Sequence, residues 1–175
     1  MNTFNDLAQR RRSIRKFQDR PIEEEKLNNI LKAALMAPSS KRCQPWHFVV
    51  VDEQEKLLQM SVCREMGCKF LDGAPLAIIV MADESLSDVW VEDASIAAAY
   101  LQLAAEDLGL GSCWIQVRNR MKSENQSTEE YLKEIINAPE HLRIECIIAV
   151  GYKAEEKNPF DETRLKWEKI TKNNF

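Results

Sequence analysis

Residues 10–17 read Arg10-Arg11-Arg12-Ser13-Ile14-Arg15-Lys16-Phe17, and this basic segment differs in charge from the rest of the chain. Five of the seven residues from Arg10 to Lys16 are cationic, whereas the whole 175-residue chain has a net charge of -4. Like charges held this close repel one another unless an anion or solvent offsets them. One arginine side chain can donate two hydrogen bonds to the oxygens of a phosphate, and a serine hydroxyl adds a further donor. The segment therefore predicts a phosphate site, although by itself a solvated basic turn is the simpler interpretation.

The composition is that of one ordinary globular domain. The chain is 45% hydrophobic and 30% charged, and 175 residues suit a single sizeable core. The acidic balance argues against nucleic acid as a partner, and neither a membrane-length apolar run nor an apolar signal segment is found. The five cysteines form no C-x-x-C pair and, with only two histidines, predict neither a metal site nor a disulfide framework. We therefore expect reduced thiols and a cytoplasmic location.

Hydrophobic periodicity predicts helices that alternate with strands along the chain. The helices are expected at residues 22–37, 53–62, 88–108 and about 128–136, the last opening with a capping box formed by Ser127 and Glu130. The strands are expected at 48–51, 76–82, 112–116 and 144–150. Such alternation usually indicates a doubly wound parallel sheet, but Gly109-Leu110-Gly111 lacks the third glycine of the dinucleotide fingerprint and follows a helix. Because the phosphate signal lies at the N-terminus instead, we expect a different α+β fold.

Two further features indicate packing partners or a ligand. The helix at 88–108 has a face of small side chains that lets a neighbouring helix approach closely, either in the same core or in a second subunit. The chain after Gly151 is polar and aperiodic, as in a segment that needs a partner. The loop bracketed by Pro38 and Pro45 presents hydroxyl and amide groups beside Trp46, which suits a planar heterocycle. By itself, that loop is more simply a helix-to-strand connection with Trp46 in the core.

Taken together, these segments resemble the nitroreductase family of FMN-dependent oxidoreductases. Each motif is weak alone, but the set occurs in the family's order and spacing and covers nearly the whole chain. The matching motifs are residues 11–17, Pro38-Ser39-Ser40, 44–48, Trp90 with Glu92-Asp93, 109–115, 151–157, and Arg164-Leu165 with the C-terminal segment as far as Ile170. The resemblance implies one nitroreductase-like FMN-binding domain over residues 1–175, with a central mixed sheet flanked by helices. It also implies an intertwined homodimer with FMN sites between the subunits.

The resemblance also assigns the cofactor contacts. The FMN phosphate and ribityl chain would be held by Arg11, Arg12, Ser13 and Arg15, with Arg164 reaching the same phosphate. The other subunit would contribute Pro38, Ser39 and Ser40, with Arg42 beside them. Backbone N–H groups near the flavin N5 and O4 would come from Ile115, Gln116 and Val117. Lys69 would lie near the pyrimidine edge of the ring.

The implied activity is transfer of hydride or electrons from NAD(P)H to nitroaromatic, quinone or related small-molecule acceptors by a ping-pong mechanism. The flavin N5 carries the chemistry, so we predict no catalytic protein residue, and Lys69, Gln116 and Val117 would tune the ring. One alternative is a flavin reductase specific for one metabolite, such as a dehalogenase or ene-reductase relative. Others are a flavin-binding store or sensor without turnover and a domain that binds another anion.

Overall fold

A four-stranded sheet with helices on both faces forms the centre of the computed structural model, which describes residues 3–174. The strands are β1 Trp46–Val51, β2 Leu76–Asp83, β3 Gly111–Gln116, β4 Met121–Ser123, β5 Gln126–Ser127 and β6 Leu142–Gly151. The α-helices are α1 Phe4–Arg10, α2 Glu24–Leu35, α3 Gln54–Met60, α4 Trp90–Asp107 and α5 Thr128–Ile136. Short 3₁₀ turns lie at Ser40–Arg42, Lys69–Gly73, Glu162–Arg164 and Trp167–Lys169.

The main sheet has the strand order β1-β2-β6-β3, and every neighbouring pair is antiparallel. The α+β class is therefore confirmed. Parallel pairing, which the expected mixed sheet requires, is confined in the described chain to one isolated bridge between Ser13 and Ser112. β4 and β5 form a separate two-stranded hairpin.

The core lies on both faces of the sheet because β6 is buried along almost its whole length. Ile147 and Ala149 pack with α3 and α5, whereas Ile148 and Val150 pack with α2 and α4. The small side chains of α4 belong to this second layer, where Ala94, Ala98 and Ala105 lie in one cluster with Ile30 and Ala34 of α2. The alanine face therefore meets a helix of the same core, so it gives no support for a second subunit. Trp46 is buried, as its simpler interpretation predicted.

The basic segment is fixed against the sheet by backbone hydrogen bonds and by two glycines. The Ile14 N–H donates to the Ser112 carbonyl (3.0 Å), and the Gln18 N–H donates to the Tyr152 carbonyl (2.9 Å). A Cβ at Gly111 would lie 2.9 Å from Ile14 atoms, and one at Gly151 would lie 2.8 Å from Phe17. Both glycines are therefore needed for the close approach of this segment.

All eight predicted elements are present with shifted ends, but α1 and the β4–β5 hairpin were not predicted. No residue of α1 is buried, and a capping box of Thr3 and Asp6 begins it. The hairpin lies directly before α5, whose start at the Ser127 capping box was predicted. No helix among the described residues is long and apolar enough to cross a membrane.

Candidate functional site

The outer edge of β3 is the candidate site, because β3 pairs with β6 along only one side. The Ser112 carbonyl accepts from the Ile14 N–H, and the Gln116 carbonyl accepts from Arg64 Nη1 (3.1 Å). The backbone N–H and C=O groups of the even-numbered residues of β3 therefore point to the outer edge. Strand alternation therefore also directs the Gln116 N–H to this edge. The Val117 N–H points the other way and donates to the Glu145 carbonyl (3.2 Å). In this structure the Val117 N–H is therefore already bound, whereas the Gln116 N–H faces the open edge; the roles that the resemblance implies for both stay predictions.

The basic segment lies at the start of the same edge, where the Ile14 N–H donates to the Ser112 carbonyl. No ion pair in the described chain involves Arg11, Arg12 or Arg15. The nearby Glu155 carboxylate instead accepts the backbone N–H groups of Arg15 (2.6 Å) and Lys16 (3.3 Å), which lowers its pKa. Three guanidinium groups without a carboxylate fit a phosphate dianion.

An open cleft of about 570 Å³ adjoins this segment and is lined partly by Arg12 and Lys157. The C-terminal tail begins beside it, because the Phe160 N–H donates to the Gln9 carbonyl (2.8 Å) and the Arg12 guanidinium lies 5.9 Å from the Phe160 ring centre. Arg164 is exposed, four residues further along the tail, and does not line this cleft.

A second open cleft of about 920 Å³ lies beside the segment from Arg64 to Lys69 and the β4–β5 hairpin. Arg64 of this segment contacts the Gln116 carbonyl at the β3 edge, and the ring centre of Phe70, directly after the segment, lies 5.9 Å from the Arg15 guanidinium. Lys69 lines this cleft, but its Nζ forms an ion pair with Asp72 (2.9 Å) and its side chain is 73% exposed. Sequence reasoning missed Arg64, since its contact with Gln116 spans 52 residues and leaves no local pattern.

The side chain of Gln116 is held by two partners that the sequence did not indicate. Trp114 Nε1 donates to Gln116 Oε1 (2.9 Å), and Gln116 Nε2 donates to Glu145 Oε1 (3.2 Å). Glu145 is only 4% exposed, and its Oε2 has no hydrogen-bond partner among the described residues. Burial raises the pKa of Glu145, although the Gln116 hydrogen bond and the charge of Arg118 oppose the rise.

The loop that carries Pro38, Ser39, Ser40 and Arg42 lies away from this edge. It leads into β1, at the opposite side of the sheet from β3, roughly 14 Å away at about 4.8 Å per strand. Asp93 anchors it, since Asp93 Oδ1 accepts the Ser40 N–H (2.8 Å) and Asp93 Oδ2 accepts the Ser87 hydroxyl (2.7 Å). One chain therefore brings the basic segment and Gln116 to one edge, but leaves this loop apart.

In the described part of the chain, no group of three or more His, Cys, Asp or Glu residues could hold a metal ion. All five cysteines are free thiols, as expected. The positively charged, open edge of β3 is thus the feature best suited to an anionic ligand.

Comparisons with known proteins agree with this geometry. The model of the Nitroreductase family matches residues 8–66 and 53–152. An FMN-dependent nitroreductase from Clostridium difficile R20291 is 52% identical, with 97% of this chain and 98% of that chain covered and a TM-score of 0.95. A protein of Archaeoglobus fulgidus, provisionally named NADH dehydrogenase/NAD(P)H nitroreductase, is 40% identical over 158 residues, 86% of each chain. The iodotyrosine deiodinase of Thermotoga neapolitana is 28% identical over 193 residues, 94% of this chain and 96% of that one.

The family match spans most of the chain, and the identities and the shared fold extend over nearly all of it. The chain therefore belongs to the nitroreductase family.

Proposed function

We propose that the protein is an FMN-dependent oxidoreductase that passes electrons from NAD(P)H to nitroaromatic, quinone or related small-molecule acceptors. The observation that carries the proposal is the β3 edge, with three unpaired arginines at its start and the Gln116 N–H at its end. From Ser112 to Gln116 this edge is about 13 Å long at ~3.3 Å per residue. A phosphate and a ring joined by a flexible chain can therefore lie along it, and similarity to an FMN-dependent nitroreductase supports FMN as that ligand.

Each part of the edge has a separate role in this proposal. Arg11, Arg12 and Arg15, with the Ser13 hydroxyl, bind the phosphate, each charged hydrogen bond being worth roughly 1.5–3 kcal/mol. Arg164 adds a cation from the tail. The Gln116 N–H donates to the ring, while Ile115 and Val117, whose side chains are buried, support the strand from the core side. FMN supplies the hydride acceptance and donation that no side chain can provide.

A second copy of the chain completes the site in this proposal by supplying Pro38, Ser39, Ser40 and Arg42. Their position at the opposite side of the sheet supports an intermolecular role. Exposed apolar side chains support this role too, since exposed apolar patches commonly mark interfaces. Ile96 and Tyr100 are exposed on the outer face of α4, and Trp167 and Ile170 in the tail are 69% and 70% exposed. A homodimer interface over these surfaces would cover them.

Turnover is expected to be ping-pong, with NAD(P)H and acceptor using one open face in turn. The short β4–β5 hairpin borders the 920 Å³ cleft, and no long segment of the described chain covers it. Initial rates measured at several quinone and NAD(P)H concentrations should give parallel double-reciprocal lines. Intersecting lines would instead indicate a ternary complex and contradict the shared site.

A reductase specific for one metabolite is the second candidate, favoured by the similarity to an iodotyrosine deiodinase. Iodide release from iodotyrosine, compared with quinone reduction under the same anaerobic conditions, separates the two. A store or sensor would bind FMN but show neither reaction. A cytoplasmic location stays a prediction.

A further inference from the structure

We propose that Arg64, and not Lys69, supplies the main positive charge facing the cofactor ring. The inference rests on the proposed function, because it requires FMN along the β3 edge. Arg64 lies in the irregular segment between α3 and the Lys69–Gly73 turn.

The position of the Arg64 guanidinium relative to Gln116 is the first support. Arg64 Nη1 donates to the Gln116 carbonyl (3.1 Å), while Arg64 Nε donates to the Met66 carbonyl. The Gln116 N–H faces the same outer edge as this carbonyl. The guanidinium therefore lies against the residue proposed to donate to the ring.

The second support is that no carboxylate among the described residues is paired with Arg64, although a hydrogen bond with Cys63 and the charge of Arg64 lower the pKa of the nearby Cys68 thiol to about 6. No carboxylate forms an ion pair with Arg64 in the described chain, and its guanidinium donates to the carbonyl oxygens of Met66 and Gln116. Lys69, by contrast, is paired with Asp72 at 2.9 Å and is mostly exposed, so its field is both offset and screened by water. Of these two cations, Arg64 therefore has the stronger field at the edge.

The third support is that the backbone leaves room for this guanidinium. Gly67 has a φ of +84°, and a Cβ there would lie 2.4 Å from Arg64 Nη2. The guanidinium thus packs directly over Gly67 through Nη2, while Nε and Nη1 donate to the carbonyls of Met66 and Gln116. Packing and hydrogen bonds together restrict where the charge can lie.

The expected consequence is a higher reduction potential of bound FMN. Hydride transfer brings two electrons and one proton, so the ring gains a negative charge that a nearby cation stabilises. A cation that favours the reduced form over the oxidised form raises the potential, whereas one that binds both forms equally does not.

The test is the midpoint potential and the FMN dissociation constant of the holoprotein, measured for the parent, Arg64→Gln, Arg64→Lys and Lys69→Gln. Arg64→Gln should reduce the preference for reduced over oxidised FMN about tenfold, a fall of about 30 mV for a two-electron couple. Arg64→Lys should retain most of the potential because it keeps the charge. Lys69→Gln is the comparison and should lower the potential less than Arg64→Gln does, because Lys69 is paired with Asp72 and exposed to water.

The outcomes separate this inference from the function on which it rests. An Arg64→Gln protein that binds FMN at the parent's potential would overturn the assignment, as would a larger fall in Lys69→Gln. A parent protein that binds no added FMN would overturn the proposed function itself.

Discussion

At the scale of single residues, the candidate site depends on charges that the chain does not neutralise internally. Arg12 and Arg15 stack near Phe160 and Phe70 and have no acidic partner in the described chain. Arg20, a few residues later, is paired with Glu23 at 2.6 Å. The difference indicates which arginines are free to bind an external anion.

Replacing Arg12 and Arg15 together with alanine should weaken FMN binding without unfolding the protein. Each lost charge-assisted hydrogen bond costs roughly 1.5–3 kcal/mol, about one to two decades in affinity. Titration of the apoprotein with FMN, followed by flavin fluorescence, measures the loss, and Arg20→Ala serves as the control. Undiminished affinity in the double variant would place the phosphate elsewhere.

Two glutamates, the buried Glu145 and the half-buried Glu129, should change stability with pH in opposite directions. Burial raises the pKa of Glu145, so its ionisation opposes folding, and Glu145→Gln should stabilise the protein increasingly as pH rises above the ordinary value of 4.5. For Glu129 burial also raises the pKa, but hydrogen bonds from Arg143 and the Ile144 N–H outweigh it and lower the pKa overall. Its carboxylate therefore stabilises the fold above the unfolded pKa and loses that effect as pH falls, so Glu129→Gln should destabilise near neutral pH.

Urea unfolding of the parent and both variants at about pH 4 and about pH 7.5 measures these differences. The Glu145→Gln gain and the Glu129→Gln loss should both be larger at the higher pH. Equal effects at the two pH values would mean that neither carboxyl titrates differently in the folded protein.

At the scale of elements, the docking of the basic segment depends on the missing side chain of Gly111. Gly111→Ala would place a methyl group 2.9 Å from Cβ, Cγ1 and Cγ2 of Ile14. We expect a loss of about 1–3 kcal/mol in the free energy of unfolding, together with weaker FMN binding as the segment shifts. Gly73→Ala, where no atom lies within 4 Å of the added Cβ, is the control.

The steric explanation can be tested separately. In an Ile14→Ala background the Gly111 substitution should cost less, because two of the three contacted atoms are gone. If Gly111→Ala costs the same in both backgrounds, the contact with Ile14 is not the reason for the glycine.

The sequence predicts those elements that bury a periodic apolar face, and it misses those that do not. The helices α2 and α4 and the strand β6 carry such faces and were found near their observed ends. The helix α1 buries nothing, so only its capping box reveals it. The residues of the candidate site also differ in how far the sequence could predict them. The basic segment is contiguous and was found, whereas Arg64 and Glu145 reach Gln116 through contacts between distant parts of the chain.

At the scale of the whole molecule, the strand order separates two groups of predicted cofactor contacts. The basic segment and Gln116 lie at the β3 side of the sheet, whereas the loop from Pro38 to Arg42 leads into β1. No local property of the sequence specifies this separation, since it follows from the order β1-β2-β6-β3. We therefore propose that a site using both groups lies between two chains.

The protein should therefore be a homodimer that loses FMN when it dissociates. Ile96→Asp would place a charge on the exposed apolar face of α4 and should favour the monomer, whereas Glu92→Asp, on the same helix, should not. Light scattering after size-exclusion chromatography, with FMN content measured in each peak, reports both properties. A monomer that retains FMN at micromolar concentration would show that the second chain is not needed.

The most direct test of the central claim is the visible absorption spectrum of the purified protein during anaerobic addition of NADH or NADPH and then of a quinone. We expect a yellow protein whose released cofactor is FMN. Its flavin band should be lost with at least one of the two nicotinamides and return when the quinone is added. A colourless protein that takes up no FMN, or bound FMN that neither nicotinamide reduces, would contradict the account.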